Sequence, residues 1–260
     1  SDINDFDRAG GVPFLVRELL GAGLMHEDVS VMFGDSIHDY TRPLGLDGAG
    51  RLVQGAPREA TGDPQCLRSA DDPFLADSGF HRLEGNMGRA IIKTSSVPDN
   101  RWCIEAPARV FADQQALMDA YEAGELTHDV VAVLPGQGPA ANGMPELHKL
   151  MPVLANLQND GLRVALLTDG RLSGASGKVP SAIHVYPEAA RGGAIGRIRD
   201  GDRVRIDAAA GKLHWEAGRD HGQPVHWGRG NEGLGRELFA GFREQVTHAE
   251  AGATIFRWDD

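Results

Sequence analysis

The sequence predicts a mixed α/β fold, and three observations predict it. Val130-Val131-Ala132-Val133-Leu134 is a short unbroken apolar run, the pattern of a strand covered on both faces. Val12, Leu15, Val16 and Leu19 recur at the spacing of one helical face. Arg203 to Asp207 alternates polar with apolar and is separated from Lys212 to Glu216 by Ala208-Ala209-Ala210-Gly211, as in a β-hairpin.

In chain order, the first helix follows Gly10-Gly11, carries Pro13 in its first turn, and meets its stop signals at Gly21 and Gly23. Thr41 to Phe80 is polar, rich in Gly, Pro and Asp, and without periodicity, so it reads as an irregular connection with a domain boundary near Ser78. Ala90 to Val97 and Arg109-Val110-Phe111 read as strands. Asp113 then caps a helix that carries Leu117, Ala120 and Tyr121 and stops at Gly124. After the apolar run and a Gly/Pro loop, Leu147, Leu150, Leu154 and Leu157 mark a helix, with Pro145 suited to its first turn and Pro152 expected to break or kink it. Leu162 to Leu167 resumes as strand. Leu234, Leu238, Phe239 and Phe242 suggest a short terminal helix, and no internal repeat is present.

Composition narrows the function. A chain of 260 residues can bury a substantial core. Its formal net charge of −11 argues against nucleic acid or an acidic membrane as a partner and leaves room for a local anion pocket. No stretch approaches the roughly 18 apolar residues of a membrane span, and Ser1 to Asp7 is unlike a secretory signal, so a cytoplasmic location is expected. Cys66 and Cys103 are too few for a disulfide framework or for the usual ligand set of an iron–sulfur cluster, and are expected to be buried thiols. The chain starts at Ser1 and runs almost at once into Ala9-Gly10-Gly11, as a piece of something longer would.

Gly170-Arg171-Leu172-Ser173-Gly174-Ala175-Ser176-Gly177-Lys178-Val179 places two hydroxyls and two cations on a glycine-rich turn after an apolar run. Such a loop suits an anionic ligand. It is not a P-loop, which needs Gly at the position of Leu172 and a hydroxyl at that of Val179. From spacing alone, an anion site and a surface turn with solvated charges both stand. Gly136-Gln137-Gly138-Pro139-Ala140-Ala141 satisfies a dinucleotide-binding pattern formally, but Pro139 and Asn142-Gly143 favour a loop over an immediate helix start. Glu146 reads either as a first-turn acid favoured by the helix dipole or as a metal ligand. The ten histidines form no H-x-x-x-H pattern; His184 reads as a hydrogen-bonded core residue, and His214, His221 and His226 as solvated. The tryptophans are scattered, as separate packing residues are.

Gly143-Met144-Pro145-Glu146-Leu147-His148-Lys149-Leu150, Thr168-Asp169-Gly170-Arg171, Ser173 to Pro180, Ala182-Ile183-His184 and Pro187-Glu188-Ala189 resemble the C-terminal part of the dihydroxy-acid and phosphogluconate dehydratase family. Ala9-Gly10-Gly11, Glu84-Gly85-Asn86, Gly88-Arg89-Ala90, Glu105 to Ala108 and Gly235 to Phe239 extend the likeness across nearly the whole chain. Gly177-Lys178-Val179-Pro180 and Glu146-Leu147-His148-Lys149 are similar to the phosphogluconate branch.

The resemblance implies a hydro-lyase that takes water from 6-phospho-D-gluconate to give 2-dehydro-3-deoxy-6-phosphogluconate. It implies Ser173 as the base, Glu146 as a Mg²⁺ ligand, and an iron–sulfur Lewis acid on the departing hydroxyl. Arg171, Gly174, Ser176 and Lys178 are expected around the substrate carboxylate or phosphate. The cluster cysteines and the other Mg²⁺ ligands belong to an N-terminal half outside these residues, so the chain alone is expected to be colourless and inactive, and its parent a homodimer. The expected fold is a swivelling β/β/α domain over residues 78–260, its sheet barrel-like and flanked by helices, preceded over 1–77 by the end of a larger α/β domain and a linker. Two alternatives stay open: another acid dehydratase of the family, and a non-catalytic anion-binding module.

Overall fold

The computed structural model describes residues 2–76, 79–173, 178–218, 227, 233 and 235–256. The chain forms two compact units, residues 1–76 and 77–260.

The first unit opens with helix α1 (Ile3–Ala9). Its acidic start is the reason it forms: the Asp2 side chain accepts from the Asn4 and Asp5 amides, and Asp5 returns the bond to Asp2, a complete capping box. Helix α2 (Gly11–Gly21) follows, with Pro13 in the first turn, where its missing N–H costs nothing. Ala9, Phe14 and Leu67 form a small core. The stretch expected to be irregular carries a short antiparallel hairpin, strands β1 (Leu44–Leu46) and β2 (Leu52–Gln54). Both strands are exposed throughout, so burial wrote no alternation into their sequence.

The second unit is a closed eight-stranded barrel. Its strands are β3 (Phe80–Gly85), β4 (Gly88–Lys93), β5 (Cys103–Val110), β6 (Val130–Leu134), β7 (Val164–Thr168), β8 (Ser181–Tyr186), β9 (Arg203–Asp207) and β10 (Lys212–Glu216). They close in the order β10-β3-β4-β8-β7-β6-β5-β9. The run β5, β6, β7, β8 is parallel; β4 with β8, β5 with β9, and the β3–β4 and β9–β10 hairpins are antiparallel.

Alternate residues of all eight strands, among them Leu83, Ile92, Ile104, Val131, Leu167, Ala182, Ile206 and Leu213, fill the interior. The other face of β6 and β7 is covered by α3 (Gln114–Glu122) and α5 (Leu150–Asn159) through Leu117, Leu150, Leu154 and Leu157. Every residue of β6 and β7 is therefore buried, which is why both read as unbroken apolar runs.

Several boundaries differ from the sequence reading. Strand β5 begins at Cys103 and ends before Phe111; Ile104, Ala106 and Ala108 point inward, and Pro107 lies at the end of the β5–β9 ladder. Helix α5 starts at Leu150, so Pro152 occupies its first turn and neither breaks nor kinks it, while Pro145 and Glu146 lie in the preceding loop. A one-turn helix, α4 (Pro139–Asn142), does follow Gly138 directly, where a loop was expected. The last helix, α6 (Ala240–Gln245), begins after Leu238 and Phe239; Leu234 lies outside the described residues. Cys66 and Cys103 are half-buried. Among the described residues no helix is long and apolar enough to cross a membrane.

Candidate functional site

In a parallel sheet the loops leaving the C-terminal ends of neighbouring strands lie side by side, and ligand sites collect there. Here β6 leads into Pro135-Gly136-Gln137, and β7 into Asp169-Gly170-Arg171. Thr168 binds the two together: its hydroxyl donates to the Leu134 carbonyl at 2.8 Å and accepts from the Gly170 amide at 3.0 Å.

Asp169 extends the clamp to a third loop. Fully buried, its carboxylate accepts from the amides of Gly136 (3.1 Å), Gln137 (2.8 Å) and Ala189 (2.8 Å). Burial pushes its pKa up to about 6, against the opposing pull of those three N–H groups. Glu188, only 4% exposed, accepts from the amides of Ala140 and Ala141 at the start of α4. A Cβ on Gly138 would collide with the Glu188 carboxylate. The Gly-x-Gly pattern that mimics a dinucleotide motif is thus answered by the protein's own acid. Gly136 has φ +73°, which favours glycine, and Gly138 makes room for Glu188.

The residues singled out from sequence meet at the end of β7. Glu146 and Arg171 form an isolated parallel β-bridge. The Arg171 Nε donates to the Met144 carbonyl at 2.7 Å, and its guanidinium stands 4.0 Å from the Glu146 carboxylate. Glu146 Oε1 accepts from the Ser173 amide at 2.9 Å and from the His148 amide at 3.1 Å. Glu146, Arg171 and Ser173 are therefore together, and Glu146 is not a first-turn helix acid. Lys178 lies exposed in the turn that leads toward β8. Gly174 and Ser176 lie outside the described residues, as do His221 and His226.

Backbone strain collects around Arg171. Met144, whose carbonyl it holds, has φ 53°, and His184, whose amide donates to the Gly170 carbonyl at 2.9 Å, has φ 54°. Left-handed backbone at residues other than glycine costs on the order of 1 kcal/mol or more each and persists where surroundings impose it, commonly at functional sites. His184 interrupts the β4–β8 register between the pairs Ile91–Ile183 and Arg89–Tyr186. It is half-buried; burial, then the Arg171 charge, lowers its pKa, which favours the neutral ring. Sequence reading placed it in the core and assigned no role to Asp169 or Glu188. The signal for Asp169 was an acid separated by Thr168 from a run of four apolar strand residues, Val164 to Leu167.

Glu146 offers carboxylate oxygen, a donor suited to Mg²⁺. Among the described residues no group of three or more His, Cys, Asp or Glu is placed to hold a metal, so these residues fit a single ligand and not a complete site. The cysteines do not fit a cluster: Cys66 belongs to the first unit and Cys103 to β5, and burial followed by Asp207 raises the Cys103 pKa, disfavouring thiolate.

Comparison with known proteins agrees with this architecture. The family model described as dihydroxy-acid/6-phosphogluconate dehydratase C-terminal matches residues 65–253. Phosphogluconate dehydratase of Pseudomonas aeruginosa is 50% identical over 98% of the chain and 43% of its own length; that of Zymomonas mobilis is 49% identical over 97% and 42%. Dihydroxy-acid dehydratase 1 of Nocardia farcinica is 36% identical over 81% of the chain and 35% of its own length. The chain thus spans less than half the length of these relatives. It belongs to the dihydroxy-acid/6-phosphogluconate dehydratase family and corresponds to its C-terminal part.

Proposed function

We propose that the chain is the C-terminal part of a phosphogluconate dehydratase, which eliminates water from 6-phospho-D-gluconate to give 2-dehydro-3-deoxy-6-phosphogluconate. The observation that carries the reading is the pairing of Glu146 with Ser173 at the end of β7, in a chain about half identical to phosphogluconate dehydratases over nearly its whole length.

Elimination needs a base for the proton on the carbon next to the carboxylate, and assistance to the hydroxyl leaving from the neighbouring carbon. Ser173 is the proposed base. Ionised to the alkoxide, its oxygen takes the C2 proton, the C2 electron pair forms the C2–C3 double bond as the C3 hydroxyl departs with a proton as water, and the resulting enol relaxes to the 2-keto product. A serine alcohol is far too weak an acid to do this unaided, and a neighbouring carboxylate alone would oppose its ionisation. Mg²⁺ on Glu146 would supply the compensating positive charge, with its remaining ligands outside this chain. Glu146 also receives the Ser173 amide, so the same carboxylate fixes the path of the serine backbone. Arg171 and Lys178 are the proposed cations for the acid substrate, with Gly174 and Ser176 on the same turn. Among the described residues there is no ligand set for an iron–sulfur cluster; its ligands would come from outside this chain, and the cluster would supply a Lewis acid for the departing hydroxyl.

The test is Ser173→Ala in the enzyme at the length of its relatives, following both turnover and exchange of the C2 proton with solvent. Loss of both is expected. Retained exchange removes Ser173 from the role of base, and faster turnover of a branched dihydroxy acid than of 6-phosphogluconate removes the substrate assignment.

A further inference from the structure

Strand β8 carries a bulge where it passes the end of β7. The ladder with β4 pairs Ile91 with Ile183 and Arg89 with Tyr186, so His184 and Val185 together stand opposite the single residue Ala90. A bulge of this kind re-aims a side chain that strict alternation would send elsewhere, and bulges gather beside active sites. Of the two residues, Val185 packs into the barrel interior and His184 does not. His184 takes φ 54°, which glycine adopts freely and histidine only at a cost.

The bulge sets His184 against the loop that carries Arg171 and Ser173. Gly170 and Arg171 prolong β7 and are flanked by two segments: His184 donates its amide to the Gly170 carbonyl at 2.9 Å, and Glu146 forms the bridge with Arg171. Glu146 in turn receives the Ser173 amide. The His184 ring is half-buried and close enough to the Arg171 guanidinium to feel its charge. Among the described residues the ring makes no hydrogen bond and no ion pair, so no polar contact there offsets the backbone cost of placing a histidine at this point.

Charge decides which ligand group such a ring suits. Burial and the Arg171 charge favour the neutral imidazole. A neutral imidazole carries one N–H donor and one acceptor nitrogen, the complement of a hydroxyl, whereas a carboxylate offers acceptors alone and is better served by the guanidinium of Arg171. A 2-hydroxy acid presents both groups side by side, on adjoining carbons.

We infer that His184 is a substrate-binding residue that holds the C2 hydroxyl of a 2-hydroxy acid while Arg171 holds its carboxylate. Two of the substituents on C2 are then fixed, and the C2 hydrogen is turned toward Ser173. The inference rests on the proposed function for the roles of Arg171 and Ser173. It is separate from the choice of substrate, since phosphorylated and branched acids of the family share the 2-hydroxy-acid end.

The test couples a change in the protein to a change in the ligand, in the enzyme at the length of its relatives. The ligands are 3-deoxy-6-phosphogluconate, which has no C3 hydroxyl to lose, and its 2,3-dideoxy counterpart; calorimetry gives Kd for each. The wild type is expected to prefer the 2-hydroxy ligand by about 3- to 10-fold, the range for one hydrogen bond. His184→Gly keeps the left-handed backbone without strain and removes the ring, and should bring the ratio to about 1. His184→Asn, which tolerates the same backbone and has a donor and an acceptor, should restore part of it. An equal weakening of both ligands in His184→Gly marks a merely structural role and overturns the inference, as does an unchanged ratio. If the wild type binds neither ligand and binds 2-hydroxy-3-methylbutanoate instead, the phosphogluconate assignment falls. The ratio of that acid to 3-methylbutanoate then decides the role of His184 in the same way.

Discussion

At the C-terminal ends of β6 and β7, acids are buried and held by backbone N–H groups; on the outer face of the β5–β9 ladder, they are held by arginines at the surface. Asp169 is fully buried on three amides and Glu188 is 4% exposed on two. Glu105, by contrast, pairs with Arg203 at 2.7 Å and Arg205 at 3.6 Å, with all three side chains well exposed. Both regions belong to one barrel with one interior core. The difference is one of purpose. A surface pair adds little and constrains nothing beyond itself, whereas a buried acid with several amide donors fixes the course of whole loops. The loops so fixed are those that lead to Glu146, Arg171 and Ser173.

The largest effect should come from Asp169→Ala, which leaves the amides of Gly136, Gln137 and Ala189 without their buried acceptor. Unsatisfied buried donors cost about 1–3 kcal/mol each, so a loss of about 3–5 kcal/mol is expected after partial relaxation. All four tryptophans lie beyond residue 76, so urea unfolding followed by tryptophan fluorescence reports on the barrel unit. Hydrogen exchange at those three amides should accelerate most. A loss below 1 kcal/mol would mean that Asp169 does not hold the loops.

The same carboxylate gives a pH signature. Its folded pKa of about 6 lies above the ordinary 3.8, so between these values the folded state binds a proton that the unfolded state has released. Stability contributed by Asp169 therefore falls as pH rises from about 4 to about 6, by at most roughly 3 kcal/mol, and is level above that. The lowered pKa values of Glu105 and Asp207 act in the opposite sense at lower pH. The clean observable is thus the difference between the wild type and Asp169→Asn, which should show the slope only in the wild type. A parallel pair of curves would place the Asp169 pKa near its ordinary value.

Gly138→Ala tests the second buried acid. Its Cβ would meet the Glu188 carboxylate, pushing that group off the α4 amides, and overpacking of this kind costs about 1–3 kcal/mol. The readout is the urea midpoint together with exchange at Ala140 and Ala141. Glu188→Ala in the same background should recover part of the loss by removing the collision; no recovery would locate the strain elsewhere.

Legibility in the sequence followed burial. Strands β6 and β7 and the β9–β10 hairpin were readable because their surroundings impose a period, unbroken where both faces are covered and alternating where one is. Strands β1 and β2 bury nothing and left no pattern, and α1 was obscured because the acids that cap it also look like a polar tail. The pairing of Glu146 with Ser173, 27 residues apart, was expected only through family likeness, since spacing cannot reveal a bridge between two loops. Asp169 and Glu188 were passed over because their roles consist of backbone bonds to segments far along the chain. The His184 and Met144 backbones are likewise set by tertiary contacts around Arg171, not by local preference.

The smallest effect is expected from Glu105→Gln on the β5–β9 ladder. Arg203 holds the Glu105 pKa below its ordinary value through a side-chain hydrogen bond, yet the pair stands in solvent, where water and salt replace most of the attraction. Arg205 keeps a second partner in Asp207 at 2.7 Å, so removing one acid strands no buried charge. The amide of glutamine preserves an acceptor for Arg203 and the packing of the strand. The urea midpoint should therefore remain unchanged within error, at low and at high salt alike. A salt-dependent fall approaching that of Gly138→Ala would show that the outer ladder, too, relies on its charges, and the contrast between the two sides of the barrel would not hold.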